Sequence, residues 1–430
     1  MTLLGRRAFL GSALAAGGLT LAGCGAVGGG DATVRYWNLF GGGDGALMTE
    51  LQATFNRQFP QIGLKGVTLL WGTPYYTKLS MAAAGGRAPE VAILHLARLP
   101  GFAPGRLLDP FDEKLLAEVG LNRSQFVPQM INSAVSNGRL YAIPLDTHPQ
   151  VMYYNTDVIR KAGLLDDAGQ LRPIVGEEAL LDALTRVKQV TGGPAVSMST
   201  ADAGVVPWRL FWSLYRQLDG ELTLQPGRRV GIGGDKALRT LTFMRRLTRD
   251  GLLTSGLDYP ASVALFGGGK AGFLWNGPWE VQTFATGKLP FSIVRFPNIF
   301  GNGRTAGDSH ALVLPHQLER DPERDRATYQ FIAFLMRQSA TWAQAGHVPA
   351  FQPVITSQAY QRLTPQSNYS DVAPDVQLDP PSWFSGSAAE LQTQGAAAFH
   401  AVLDGILAPE QGLAQFTAAV DRLLDTPSPI

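Results

Sequence analysis

The sequence predicts an α/β chain of two lobes, each a doubly wound sheet with flanking helices, joined by crossing strands. Three observations carry that prediction. The chain has 430 residues, more than one ordinary core accommodates. From residue 32 to residue 94, runs rich in β-formers alternate with amphipathic runs, the order that builds a sheet covered by helices. Later stretches at 140–155, 298–306 and 345–351 are suited to carry the chain from one unit to the other.

Totals narrow the class. Hydrophobic residues make up 45% and charged residues 17%, which marks a globular chain and not a disordered one. The formal charge is +1, and Arg228-Arg229 and Arg245-Arg246 are isolated pairs, so no nucleic-acid surface is expected. Cys24 is the single cysteine, which excludes an intrachain disulfide.

Taken in order, residues 1–24 join a short charged part, Arg6-Arg7, to an apolar run of small residues and leucines that ends at Cys24. The run is shorter than the roughly 20 residues of a membrane span, so it reads as a secretory signal. Arg6-Arg7-Ala8-Phe9-Leu10 resembles a twin-arginine export signal, and Leu21-Ala22-Gly23-Cys24 resembles a lipobox. The resemblance implies a diacylglyceryl thioether on Cys24 and cleavage before it, with residues 25–30 as a flexible tether. The lipid would then be the anchor to the outer face of the cytoplasmic membrane.

Residues 32–38 alternate and read as a first strand. A glycine loop, 41–45, leads into a helix over 46–59 with Leu47, Leu51, Phe55 and Phe59 at four-residue spacing, stopped by Pro60. Strand 64–71, helix 75–84 and strand 90–94 follow. Residues 140–154 hold two extended pieces around a polar kink, Asp146-Thr147-His148-Pro149. Helices are expected near 156–162, 177–190, 207–218 and 235–250. In the third of these Trp208, Phe211, Trp212 and Tyr215 form a stripe that reads mostly as core, with Trp208 the member best placed to face a cleft. Phe273-Leu274-Trp275 reads as a buried strand, Asn276-Gly277 as a turn, and Pro278 as the first residue of a helix. Strands at 291–297 and 311–314, helix 326–337 and two last helices near 388–403 and 409–424 complete the chain. The Pro-rich piece 372–385 has no clear element.

The lipobox, the strand end Tyr36-Trp37-Asn38, the run from Tyr141-Ala142-Ile143-Pro144 to Tyr153-Tyr154-Asn155, and Ala271 to Trp279 together resemble the extracellular solute-binding proteins of carbohydrate ABC importers. This broad family contains maltose-binding protein. Gly346-His347-Val348-Pro349 adds support. The resemblance implies a two-lobed periplasmic-binding-protein-like fold that closes around a ligand and docks on a membrane permease, as a monomer and without a cofactor. It divides the chain into a signal at 1–23, a lipidated tether at 24–30, a first lobe of 31–144 plus 306–341, and a second of 145–305 plus 342–430.

A sugar cleft needs aromatic faces for C–H surfaces and planar polar groups for hydroxyls. The stacking candidates are Trp37, Trp71, Trp275 and Trp279, with Phe40 and Phe351 behind them; of the two tryptophans around Asn276, Trp275 is the better contact and Trp279 the better packing residue. The hydrogen-bonding candidates are Asn38, Asp44, His95, Asp146, Asn276, Asp308, Ser309 and His310, with Asp146 foremost. Asp44 also fits a helix cap, and His95 and His310 also fit a framework role. The six histidines are dispersed without a His-x-x-x-His pair, so no metal site is expected.

Rival readings have weaker support. Gly307-Asp308-Ser309-His310 superficially resembles an esterase block but lies two-thirds along the chain, and residue 397 is Ala where that family has Asp. A glycoside hydrolase needs two facing carboxylates, and nothing marks such a pair. Gly267-Gly268-Gly269-Lys270 is followed by Ala271 and is not a P-loop. A glycerophosphodiester ligand would need an Arg or Lys clamp, nearly absent from the cleft stretches. A lipoprotein scaffold without ligand is a third class, against which the aromatics speak.

Overall fold

The computed structural model describes residues 32–201 and 205–429. The expected signal, with Arg6, Arg7 and Cys24, lies outside the described residues. Among the described residues no helix is long and apolar enough to cross a membrane.

Strand β1 (Ala32–Asn38) buries Val34, Tyr36 and Asn38 on one face, as its alternation dictates. Helix α1 (Gly43–Gln58) packs Met48, Leu51 and Phe55 inward; it starts three residues earlier than its apolar spacing indicates, inside the glycine loop. Strand β2 (Ile62–Thr68), helix α2 (Thr73–Ala84) and strand β3 (Val91–His95) follow. Both β2 and β3 lie parallel to β1. Beside β3, Glu90 is buried and accepts from the Arg35 backbone N–H at 2.7 Å and from its guanidinium at 2.9 and 3.0 Å, clamping β1 to β3. Short strands β4 (Leu108–Asp109) and β5 (Ala142–Pro144) lead to the kink.

The kink is itself a strand, β6 (Asp146–Pro149), continued by β7 (Val151–Asn155), and both are wholly buried. Helix α3 (Glu177–Thr191), strand β8 (Val196–Ser197), helix α4 (Val206–Gln217) and helix α5 (Gly234–Arg249) come next. Strand β9 (Phe273–Asn276) runs parallel to β8 and antiparallel to β7, and β10 (Phe291–Arg295) flanks β7 on its other side. The second sheet therefore has the order β8-β9-β7-β10 and is mixed.

The chain returns through β11 (Thr305–Asp308) and enters β12 (His310–Pro315), which inserts antiparallel to β3 and completes the first sheet in the order β2-β1-β3-β12-β4. A strand arriving from the far lobe runs opposite to one connected by a local helix, so each sheet carries antiparallel members. Helix α6 (Pro322–Arg337) covers this sheet, with Phe331 edge-on to Tyr36 at 5.1 Å. Strands β13 (Val348–Pro349) and β14 (Val376–Gln377) join β6 and β11 in a third sheet, β13-β6-β11-β14. The three expected crossings thus meet in one small sheet between the lobes. Helices α7 (Glu390–Leu403) and α8 (Pro409–Asp425) close the second lobe.

The first core centres on Tyr36, Phe55, Ile93, Leu312 and Phe331, and the second on Leu184, Phe211, Met244, Trp275 and Phe399. The stripe on α4 is core as expected: Phe211 stacks on Phe399 at 4.2 Å. Residues 342–376 pack differently from the expected division. Trp342, Phe351, Tyr360 and Val376 join the first core, while Tyr369 joins Tyr153 of the second lobe. This stretch follows the third crossing and fills the seam, so it has apolar partners on both sides.

The Pro-rich piece has a place as well. It runs along the seam and ends where Gly386 (φ +94°) lies against Ala97 and Arg98 of the first lobe. A Cβ at Gly386 would sit 2.7 Å from the Ala97 carbonyl carbon, so the approach requires glycine. The Arg98 Nε–H donates to the Ser387 carbonyl at 2.8 Å across the same seam.

Candidate functional site

Strand β6 carries Asp146 and His148 two residues apart, hence on one face. Here burial is polar: Asp146, Thr147, His148, Ser309, His310 and His347 are all buried. Asp146 Oδ1 accepts the His310 backbone N–H at 3.0 Å and lies 3.1 Å from His148 Nδ1. Its Oδ2 accepts the Trp342 indole N–H at 2.7 Å and lies 2.9 Å from His310 Nδ1 and 3.7 Å from His347 Nδ1. Burial alone would raise the Asp146 carboxyl. The imidazoles of His310, His347 and His148 overcome it and hold the group well below the usual carboxylate range. The same burial, with His310 beside it, pushes His148 down to about 3. His95, bonded through Nδ1 to the Tyr76 hydroxyl at 2.7 Å, is also pushed down by burial and then by His310 and His148.

Around this centre stand Phe40, 4.9 Å from His310 and 4.6 Å from Trp342, and Asp44, whose Oδ2 is 3.5 Å from His347 Nε2. Gly42, not Asp44, occupies the N-cap of α1; Asp44 sits in the first turn and points inward. Asn38 Oδ1 accepts the Phe40 N–H and the Thr68 hydroxyl, shaping the loop that carries Phe40. Asp308 accepts the Ala97 N–H at 3.0 Å and the Ser309 N–H at 2.8 Å; burial outweighs these donors and pushes its carboxyl up to about 7.

The facing wall comes from the second lobe. The Trp279 ring is half-buried, 6.1 Å from the His148 ring and 5.0 Å from the Arg209 guanidinium. The Tyr259 hydroxyl accepts from the Trp279 indole N–H and from Asn276 at 2.9 Å, and donates to Glu280 at 2.6 Å. On the first lobe the Arg98 guanidinium lies over the Tyr76 ring at 3.9 Å. Beyond Ala97 a cavity of about 590 Å³ spans the seam, with Leu96 and Pro100 on one side, Trp212 and Arg216 on the other, and Gln377 and Asp379 between. That size suits a small ligand.

The fold therefore gathers Phe40, Asp44, His95, Asp146, Asp308, Ser309 and His310 into one layer, with Asn38 supporting it and Asn276 and Trp279 facing it. Four candidates lie elsewhere. Trp275 is buried edge-on to Phe296 at 5.2 Å in the second core, with its indole N–H unpartnered. Trp37 packs beside the first core under the Lys78 ammonium at 5.3 Å. Phe351 packs on Phe126 at 5.5 Å, and Trp71 is 39% exposed before α2. The roles expected of the two tryptophans around Asn276 are thus exchanged: Trp275, inside the strand, alternates into the core, and Trp279, past the turn, faces the seam. Trp208 likewise is fully buried, and its neighbour Arg209 takes the cleft position.

Residues absent from the expected set are Tyr76, Arg98, His148, Arg209, Tyr259, Trp342 and His347. His148 and His347 lie inside crossing segments that the sequence marks; their partners are distant in the chain, so spacing alone does not show them. Folding also undoes the dispersal of the histidines: Asp146, His148, His310 and His347 present ligand atoms within 4.8 Å of one another, a set able to hold a metal ion.

Comparison with known proteins accords with this architecture. The chain is similar to the arabinooligosaccharide-binding protein of Bacillus subtilis (strain 168), 28% identical over 227 residues, which are 51% of this chain. The chain spans about half the length of that relative, 48%. It is also similar to the galactooligosaccharide-binding protein of the same strain, 21% identical over 78% of this chain and 77% of the relative. Among solved structures, the GacH receptor of Streptomyces glaucescens GLA.O superposes with a TM-score of 0.76 at 18% identity, covering 91% of this chain and 98% of that one. The maltose-bound MalE3 of T. maritima gives 0.76 at 19% identity, covering 91% and 100%. These likenesses establish the two-lobed fold. The family model described as bacterial extracellular solute-binding protein matches residues 41–340, well over half of the sequence, and the chain belongs to that family.

Proposed function

We propose that this chain captures a neutral sugar, an oligosaccharide or an amino-sugar oligomer, in the seam between its lobes and delivers it to an ABC permease without turning it over. The observation that carries the reading is the Trp279 ring of one lobe with the Arg209 guanidinium 5.0 Å from it, set where the Arg209 charge reaches His95, Tyr76 and Asp308 of the other. Flat aromatic faces beside planar polar groups are what a hydroxyl-rich ligand requires. Relatives named for arabinooligosaccharide, galactooligosaccharide and maltooligosaccharide binding support the ligand class. A maltooligosaccharide relative named as an ABC transporter solute-binding lipoprotein, 21% identical over 64% of this chain, supports both the permease and a lipid on Cys24. Export through Arg6-Arg7, a monomeric state and the position on the outer face of the membrane belong to the same proposal.

Arg98 and Arg209 are the clamp a phosphodiester would need. Asp308 and Asp379 lie beside them both, and burial raises both carboxyls, so they offset only part of that charge. The test is a thermal-shift screen with arabino-, galacto- and malto-oligosaccharides, followed by calorimetry and chromatography of the recovered sugar. Stabilisation with intact sugar is expected. Cleaved sugar would overturn the binding reading, and stabilisation by glycerophosphodiesters alone would replace the ligand class.

A further inference from the structure

We propose that Asp146, His148, His310 and His347 form a binding site for one divalent transition-metal ion, zinc by preference, at the junction of the crossing strands. The proposal does not rest on the sugar reading. Three separate parts of the chain supply the set: β6 gives Asp146 and His148, the start of β12 gives His310, and the residue before β13 gives His347. All four are buried, and one ligand atom of each lies within 4.8 Å of the others. Three imidazoles and a carboxylate are a nitrogen–oxygen set that suits zinc. A tetrahedral ion with bonds of about 2.1 Å places its ligands about 3.4 Å apart. From the one carboxylate oxygen Asp146 Oδ2, His310 Nδ1 lies at 2.9 Å and His347 Nδ1 at 3.7 Å, which bracket that value.

A plain hydrogen-bonded cluster leaves two features unexplained. First, His148 Nε2 and both nitrogens of His347 are buried with no hydrogen bond, and an ion can take one nitrogen of each ring. Second, the buried Asp146 carboxylate meets imidazoles and an indole N–H but no lysine or arginine among its bonded partners. A dication supplies both the missing partner and the missing charge. Supporting contacts are in place. The Trp342 N–H on Asp146 Oδ2 orients the carboxylate, and the Trp342 ring stacks on His347 at 4.7 Å and 10°, fixing that imidazole. Asp44, 3.5 Å from His347 Nε2, adds a second negative charge on the far side of that ring. Binding is a ligand exchange: the ion sheds water, each coordinating nitrogen gives up a proton where it carries one, and no electron moves.

The test uses the full chain, stripped with EDTA and titrated with ZnCl2 alone, then with CoCl2. One zinc per chain after desalting, a higher melting temperature reversed by EDTA, and the visible bands of four-coordinate cobalt are expected. His347→Gln and His148→Ala should each weaken zinc binding more than tenfold, whereas His316→Gln, at the separate His316–Asp109 pair, should leave it unchanged. Trp342→Phe keeps all four ligands and an aromatic ring beside His347, and loses the indole N–H together with the second ring. It should weaken binding by about 10–100-fold, and it stands in should either histidine variant fail to fold. Zinc well below one per chain in the wild type, or wild-type affinity in His347→Gln or in Trp342→Phe, would overturn the proposal.

Discussion

Strands β3 and β6 are both buried along their whole length, and they are buried for different reasons. In β3, Val91, Ala92, Ile93 and Leu94 sit in a hydrocarbon interior between helices, and only its last residue, His95, reaches the seam. In β6 the sequence is Asp-Thr-His-Pro, and its side chains meet imidazoles, an indole N–H and a facing aromatic wall. Apolar burial contributes free energy by leaving water. Polar burial does so only when every group is partnered, and an unfilled partner position is a place for something to bind. Depth below the surface therefore does not separate framework from site in this protein; the chemistry of what is buried does.

The largest expected effect comes from testing that distinction on Trp275. If it is framework, Trp275→Ala lowers unfolding free energy by about 3–5 kcal/mol, while the remaining folded protein binds sugar with near wild-type affinity. Calorimetry on the folded fraction and urea unfolding together decide, and an intact unfolding midpoint with lost affinity would return Trp275 to the ligand. Glu90→Gln comes next. Burial opposes the Glu90 charge, but Arg35 holds its carboxyl below the usual 4.5, so the folded state favours the ionised form. The stabilisation is present above about pH 4.5 and disappears as the pH falls through the lower folded value. The variant should be less stable by about 1.5–3 kcal/mol at neutral pH, with the gap closing in acid. A gap that persists or widens in acid would exclude the Arg35 pair as its source.

Trp279→Ala should show the reverse of Trp275→Ala: about 1–3 kcal/mol less sugar affinity and a smaller change in stability. Equal affinity in wild type and variant would mean that the half-buried ring only covers Arg209. Smallest of all, Trp71→Ala should alter stability by no more than about 0.5 kcal/mol, as exposed positions usually do; a larger loss would mean that the ring packs more tightly than its exposure indicates.

How much of this was legible depended on sequence distance. The unit β1-α1-β2-α2-β3 follows from local alternation and helical spacing, because each element buries one face against its chain neighbour. The site is less local. Asp146 stands out as a carboxylate between apolar strands, and His95 and His310 as strand-end groups, yet no spacing rule connects His148 to His347, and nothing near Trp208 indicates that Arg209 is the residue turned to the cleft. The tryptophans around Asn276 show the other limit. A turn makes the direction of each ring depend on where the strand stops, and one residue of difference moves an indole from core to seam. Beyond the crossing at 345–351, residues 352–385 were illegible because their partners lie on both lobes.

The insertion of β12 has a consequence for how the molecule is made. Residues 310–315 lie in the interior of the first sheet, between β3 and β4, although more than two hundred residues separate them from β3 in the chain. Until that segment has been synthesised, the first lobe has an open edge at Ile93 and Leu94 and no means of closing it. Such distant pairing is slow to form, and an uncovered apolar edge invites association with other chains. The N-terminal half must therefore wait, incomplete, for the polypeptide to pass through the other lobe and come back, and the last third of translation decides whether the first third folds.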